Sequence, residues 1–336
     1  MNSIPPLPVE PGCLYIDNSF LELLQTCPRQ LEYNRLLHRI PAQAKPGQAF
    51  GTAGHLVLDH RYRHVGSEQP LEADESAQAA IITDFYAKTT FPEDDFRNLN
   101  WAIELFIKQY NQRYKLEPFS ILTDDKGQPL IEVSFAIPWF WFDALTRTSR
   151  LFDRTTEKKE SELLIVYTGR IDLIVLWRGN LVVIDHKTAK YLGNSFWDEQ
   201  KVSPQQIGYC WAFWKTTGKM PFEFCINAIR TSQLPMRTPT GGYAKWWEEC
   251  FHRDGDYITP ATLEEWEKNA IALIEELMWH YARDYMPMKK KWCYGKYGKC
   301  GYYDVCSLPE KQRAEMLQSN LFVQNDWNPL KDKTNV

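Results

Sequence analysis

Two aspartates and a lysine carry the spacing most suggestive of chemistry. Asp185 and Lys187, in Val183-Ile-Asp-His-Lys187, are two residues apart. On a strand that spacing puts both side chains on one face, leaving His186 to point away and offer its carbonyl. Asp172, in Gly169-Arg-Ile-Asp172, lies on the preceding apolar run, and a hairpin can bring it to the same place. Carboxylates with a backbone carbonyl are hard oxygen ligands suited to Mg²⁺ or Mn²⁺. Lys187 would then orient or activate a water and stabilise the negative charge that grows on a pentavalent phosphate. A D-x-K triplet also occurs as an ordinary strand-end pair. The flanks Ile171, Leu173, Ile174, Val182, Val183 and Ile184 argue for the site, because they place both aspartates at the edge of a core, where an unpaired carboxylate is costly.

The elements that must position these residues are legible as runs. Residues 163–177 and 181–187 are β-rich and are joined at Arg178-Gly179-Asn180, a hairpin turn signal. Ser203-Pro204 begins a helix to about residue 215, and 222–229 reads as another strand. Upstream, 131–137 alternates with a period of two. Residues 50–60 read as a helix in spite of Gly51 and Gly54, which suggests close packing against its first turn. Residues 75–116 read as two helices broken at Pro92-Glu-Asp-Asp95, the second with Trp101, Leu105 and Phe106 on one face. Ser19 with Glu22, and Thr262 with Glu265, have the capping-box form, the second opening a helix to about residue 285. Cys27-Pro28 should break the first helix and leave Cys27 at the N-terminus of the next. The order predicts an α/β core with helical additions.

Composition bounds the possibilities. With 336 residues, 44% hydrophobic and rich in aromatics, the chain can bury a sizeable core. Its net charge of −4 argues against a generic nucleic-acid coating protein, though Lys289-Lys290-Lys291, Lys296 and Lys299 form a local basic run that is equally at home on a solvated surface. No apolar stretch spans a bilayer, and residues 1–11 lack the pattern of a secretory signal, so no membrane association and a cytoplasmic location are expected. In that setting eight cysteines read as metal or cluster ligands or buried thiols before disulfides. Cys293, Cys300 and Cys306 crowd the C-terminal part, and Cys27 stands far upstream.

Taken together, Gly51-x-x-Gly-His55, Gly169-Arg-Ile-Asp172, Ile184-Asp-His-Lys187 and Gln205-x-x-x-Tyr209 resemble, in order and over roughly residues 15–308, the RecB-like and Cas4-like branch of the PD-(D/E)XK nucleases. The resemblance implies a restriction-endonuclease-like core, a mixed central sheet flanked by helices, with helical insertions and a C-terminal iron-sulfur-type cysteine motif. It implies one domain over 1–336, with 65–125 as helical insertion and 286–310 as a cysteine region closing onto Cys27. By the same resemblance His55, Asp172, Asp185 and the His186 carbonyl ligate Mg²⁺ or Mn²⁺, Lys187 is catalytic, and Gln205 and Tyr209 face the site. Glu132 is a further carboxylate that either joins the site or faces solvent.

Cys27, Cys293, Cys300 and Cys306 match that branch's plan for a 4Fe-4S cluster, with a six-residue gap between Cys293 and Cys300 that is longer than is common there. Tetrahedral Zn²⁺ on the same four ligands is the alternative. The implied function is metal-dependent DNA hydrolysis, acting on single-stranded ends, with Trp197, Tyr209 and Trp211 available to stack bases. A non-catalytic DNA-binding or assembly subunit keeping the nuclease fold is the competing reading. No G-x-x-x-x-G-K-S/T motif is present, so a helicase or other motor partner would be a separate chain.

Overall fold

The computed structural model describes residues 12–42, 46–65, 71–89, 91–231, 250–295 and 298–325. Residues 1–11 and Lys296 of the basic run therefore lie outside the described residues. The chain forms two compact units, one of Met1–Gln43, Ser134–Gly169 and Ala261–Val336, the other of Ala44–Val133 and Arg170–Pro260. The long strands Ile131–Asp143 and Glu162–Trp177 are each divided by the boundary, and each part is described with its own unit.

In the second unit the predicted hairpin forms. The C-terminal part of Glu162–Trp177 pairs antiparallel with Asn180–Ala189, Leu173 opposite Ile184 and Trp177 opposite Asn180. Arg178 and Gly179 have φ of 52° and 80°, the two left-handed positions that match the natural twist of a two-residue hairpin. The strands show no alternation of apolar and polar residues here because both faces are covered: Leu173, Val175, Val182 and Ile184 join one apolar cluster with Val57, Leu58 and Phe106 of the helical layer, and Ile174 and Val183 on the other face are buried too. Asn180–Ala189 then pairs in parallel with Glu223–Arg230 through the helix Pro204–Thr217, which ends at left-handed Gly218. Phe251–Tyr257 adds antiparallel to Glu223–Arg230, and Phe119–Ile121 pairs antiparallel with Val175–Trp177. The sheet is thus mixed. Helices Pro46–His64 and Leu71–Lys88 and the helical run beginning at Leu99–Ala102 and continuing through a π-helical turn at Ile103–Gln109 pack with it. Gly54 is required by this packing, since a Cβ there would lie 2.8 Å from the buried Phe106 ring.

Phe251–Tyr257 is a strand that the sequence reading missed. Its residues His252, Arg253, Asp254 and Asp256 carry no strand signal, yet the Arg253 side chain is only 5% exposed. Its guanidinium donates to both Glu117 oxygens at 2.6 and 3.1 Å, to the Tyr62 hydroxyl at 2.9 Å and to Asn227 Oδ1 at 3.1 Å. It also lies 3.7 Å from the centroid of the Tyr114 ring. Removing it strands a buried carboxylate. Arg253→Leu should therefore cost about 3–5 kcal/mol of stability, towards the lower end because Arg61 still reaches Glu117 at 3.5 Å. Urea denaturation of the variant checks this, and the double variant Arg253→Leu/Glu117→Leu should regain part of the loss.

In the first unit Cys13–Ile16 pairs in parallel with Leu164–Tyr167, and Phe140–Asp143 pairs antiparallel with Thr148–Leu151. Trp139 stacks on Trp266 of the helix Pro260–Tyr281 and donates from Nε1 to Glu267 at 3.0 Å. That helix begins two residues before Thr262, so Thr262 is not its cap, and it ends four residues before the expected 285, with Asp284 left-handed just beyond it. The cap of Asn18–Thr26 is likewise corrected: Asp17, not Ser19, accepts the Phe20 amide at 2.7 Å, because a carboxylate one position before the helix reaches the orphan N–H directly. The break at Cys27-Pro28 is as predicted, and Cys27 precedes the helical turn Pro28–Leu31. Phe322–Gln324 pairs with Arg39–Pro41, and Tyr33, Tyr302, Val305, Leu317 and Phe322 form a second small core.

Candidate active site

Every residue of the predicted carboxylate site lies in the second unit. Beyond the Leu173–Ile184 pair the hairpin strands present Asp172 and Asp185, 7% and 3% exposed. The backbone N–H of His186 donates to Asp172 Oδ2 at 2.7 Å. The two-residue period holds as expected: Lys187 Nζ lies 2.8 Å from Asp185 Oδ2, while the His186 ring is buried on the opposite face.

The His186 ring is fixed by a network rather than by solvent. Arg253, which can only donate, points at Asn227 Oδ1 and so sets the amide orientation. Asn227 Nδ2 then donates to His186 Nδ1 at 2.8 Å, and the ring stacks on Tyr62. Burial holds the His186 pKa well below its usual value, so the ring is neutral.

Gln205 and Tyr209, one helical turn apart on Pro204–Thr217, face the same site. Gln205 Oε1 accepts from Lys187 Nζ at 2.7 Å, and its Nε2 donates to the Tyr209 hydroxyl at 3.0 Å and to Asp185 Oδ1 at 3.4 Å. Gln206, which the sequence reading passed over, donates to Asp185 Oδ2 at 3.3 Å. The ammonium and the Asp185 carboxylate are thus held from two sides.

His55 and Glu132 complete the group. His55 Nδ1 lies 3.5 Å from Asp172 Oδ2 and 4.0 Å from Glu132 Oε1, and one ligand atom of each of the three lies within 4.8 Å of the others. Glu132 does not face solvent. Its backbone is left-handed, with φ of 51°, an unfavourable conformation for a non-glycine residue, and Arg170 Nε holds its Oε2 at 2.5 Å. That turn of the chain is what a period-of-two reading of the strand could not show. Burial first, and the Asp172 charge second, push the Glu132 pKa up to about 8. Burial also raises Asp172, against the pull of His55. Two carboxylates crowded out of water beside an imidazole fit a hard divalent cation, whose charge would supply what the protein side chains alone do not. Asp185 stands outside that trio, engaged by Lys187, Gln205 and Gln206.

The expected stacking aromatics fare differently. Trp211 and Tyr209 are buried, Trp211 at 1% exposure, because Pro204–Thr217 is covered on the face that carries it. Trp197 is half-buried. Tyr191 is instead 61% exposed, just past the strand that bears Asp185 and Lys187, with the cations of Lys190 and Arg230 5.4 and 5.9 Å from its ring.

In the first unit Cys27, Cys293, Cys300 and Cys306 line one pocket together with Met288 and Trp292. None of the eight cysteines is in a disulfide, and Cys210, Cys225 and Cys250 are buried elsewhere. The thiols feel one another: the Cys306 pKa is pushed up to about 11 by burial and then by Cys27, and Cys293 is raised by burial and then by Cys300 and Cys27. The Lys289 amide donates to Cys27 Sγ at 3.5 Å. Two lysines of the basic run are engaged locally, Lys289 with the Gln25 carbonyl and Lys299 with Asp304.

The chain belongs to the PD-(D/E)XK nuclease superfamily, whose family profile matches residues 18–307. No curated protein matches it. Among solved structures, a candidate exonuclease from Eubacterium rectale is 10% identical, with 96% of this chain and 94% of that chain covered at a TM-score of 0.45. The structure of SSO0001 is 16% identical, over 66% of this chain and 74% of that chain, at a TM-score of 0.24. Among the described residues no helix is long and apolar enough to cross a membrane.

Proposed function

We propose that this chain is a Mg²⁺- or Mn²⁺-dependent deoxyribonuclease of the RecB-like and Cas4-like branch, acting as an exonuclease on single-stranded ends in DNA repair, recombination or CRISPR-like processing in the cytoplasm. The observation that carries it is the convergence of Asp172, Asp185 and Lys187 at one end of the hairpin, with His55 and Glu132 beside Asp172. His55, Glu132, Asp172, Asp185 and the His186 carbonyl would hold the metal. When bound, such an ion lowers the pKa of a water and neutralises charge on the scissile phosphate. Lys187, held by Gln205, orients that water and meets the charge developing on the phosphate. Tyr209 positions Gln205, and neutral His186, locked by Asn227, keeps the strand carrying Asp185 in register. Tyr191 with Lys190 and Arg230 offers an unstacked base a ring face and two cations.

Residues 1–336 serve as one nuclease domain in this reading, with 65–125 as an insertion and 286–310 closing onto Cys27. The four cysteines carry a 4Fe-4S cluster, and any helicase is a separate chain. The end preference is tested with linear and covalently closed circular single strands of one sequence, each with Mg²⁺ and with Mn²⁺. The linear strand should be degraded to nucleotides or short fragments while the circle survives. Equal rates on both would replace the exonuclease reading with an endonuclease.

A further inference from the structure

The helix Pro46–His64 carries two more histidines beyond His55. His60 and His64 are one turn apart and share a face, and Asp74 of Leu71–Lys88 meets them. The two imidazole rings lie 4.2 Å apart between centroids. One ligand atom from each of His60, His64 and Asp74 lies within 4.8 Å of the other two. His60 Nε2 is 3.1 Å from Asp74 Oδ1, yet the pair lacks hydrogen-bond geometry, so both buried atoms have no hydrogen-bond partner. Asp74 is only 8% exposed. An ordinary histidine–carboxylate pair would aim its N–H along the oxygen lone pair. Here the two atoms instead stand side by side, out of hydrogen-bond alignment, at the separation of neighbouring ligands on one small cation.

The remaining polar atoms of two of the three are already used in the way that orients metal ligands. His64 Nδ1 donates to the His60 carbonyl at 2.7 Å, which places its free lone pair on Nε2. Asp74 Oδ2 accepts from Gln78 Nε2 at 2.7 Å, and Gln78, fully buried, accepts from Asn111 at 3.0 Å. Asn111 in turn accepts from Arg61 at 2.6 Å. The carboxylate is braced from behind and presents one oxygen forward.

We infer that His60 Nε2, His64 Nε2 and the Asp74 carboxylate bind one transition-metal cation, with Zn²⁺ the chemistry of choice. Two imidazoles disfavour Mg²⁺ and Ca²⁺, which take oxygen ligands, and three protein ligands with a water are a normal zinc complement. The ion ties Pro46–His64 to Leu71–Lys88. It shares no ligand with the His55–Glu132–Asp172 group or with the cysteines, and the inference does not depend on the nuclease reading.

Purified full-length protein is stripped with chelator and titrated with Zn²⁺, then with Co²⁺ as a spectroscopic probe. Wild type should bind one ion with d–d bands of four-coordinate Co²⁺ in a nitrogen and oxygen field, separate from any ion on the cysteines, which sulfur-to-cobalt charge transfer marks, and from any at the His55–Glu132–Asp172 group, which Asp172→Asn removes. Asp74→Asn and His64→Ala should lose that ion, Gln78→Ala should weaken it by roughly 10–100-fold, and Asp172→Asn should keep it. Because Asp74→Asn preserves the shape and the Gln78 hydrogen bond, it remains informative if His64→Ala does not fold. Unchanged Zn²⁺ affinity in Asp74→Asn, or a wild-type Co²⁺ spectrum without four-coordinate nitrogen and oxygen bands, would overturn the inference.

Discussion

Alanine at Asp172, Asp185 or Lys187 should each lower DNA cleavage by roughly 10²–10³-fold or more, the loss met when one preorganised charge is taken from a transition state. In the proposed site the residues act as a unit around one ion and one phosphate, so Asp172→Ala/Lys187→Ala should fall no further than the worse single variant. The fold should persist. Asp172 and Asp185 are nearly buried, and Asp172 is held in its protein by one amide and an imidazole while burial raises its pKa. Removing a desolvated carboxylate that serves metal binding leaves stability unchanged or raises it in the absence of metal, as is common where activity needs an unfavourable site. Lys187→Ala should still bind metal and DNA, because it deletes no ligand. Circular dichroism melts alongside single-turnover cleavage separate loss of chemistry from loss of fold, and near-wild-type cleavage by any one of the three variants would displace the site.

The second large effect concerns the cysteines. Protein prepared without oxygen should be brown, and Cys27→Ala or Cys306→Ala should bleach it and lower its melting temperature. Cys27, Cys293, Cys300 and Cys306 line one pocket, so a cluster there cross-links residue 27 to residues 293–306. Closing a loop of that length restricts the unfolded chain by about 5–6 kcal/mol when the chain-entropy relation for disulfides is extended to it. Cluster formation would have to draw Cys293 and Cys306 into the thiolate form against the burial, and then the neighbouring thiols, that raise their pKa values, since ligation needs thiolates. Iron and sulfide analysis with the visible spectrum checks the prediction. Colourless protein whose zinc is lost in Cys306→Ala would put a zinc site in place of the cluster.

Where the sequence was informative, the information was local. The hairpin at Arg178-Gly179, the shared face of Asp185 and Lys187, the close approach at Gly51 and Gly54 and the break at Cys27-Pro28 all follow from turn chemistry, strand period or side-chain size. What escaped depends on partners distant in the chain. Phe251–Tyr257 carries no strand signal because its charges are visible and the Glu117 carboxylate that pairs with Arg253 is not. Glu132 is turned into the site by a backbone conformation that no residue type announces. His60 and His64 look like a solvated helix face until Asp74 arrives from the next helix. Trp211 was the opposite error, an aromatic near a site that is in fact core.

The central claim is that the hairpin site hydrolyses DNA with a divalent cation, and the most direct measurement is cleavage of end-labelled single-stranded DNA by wild type and Asp172→Asn purified side by side. The asparagine keeps the shape and an acceptor for the His186 amide while removing the charge. Wild type should cleave in Mg²⁺ or Mn²⁺ and stop in EDTA, and Asp172→Asn should be inactive in all three. Cleavage by wild type in EDTA, or equal cleavage by both proteins in metal, would contradict the account.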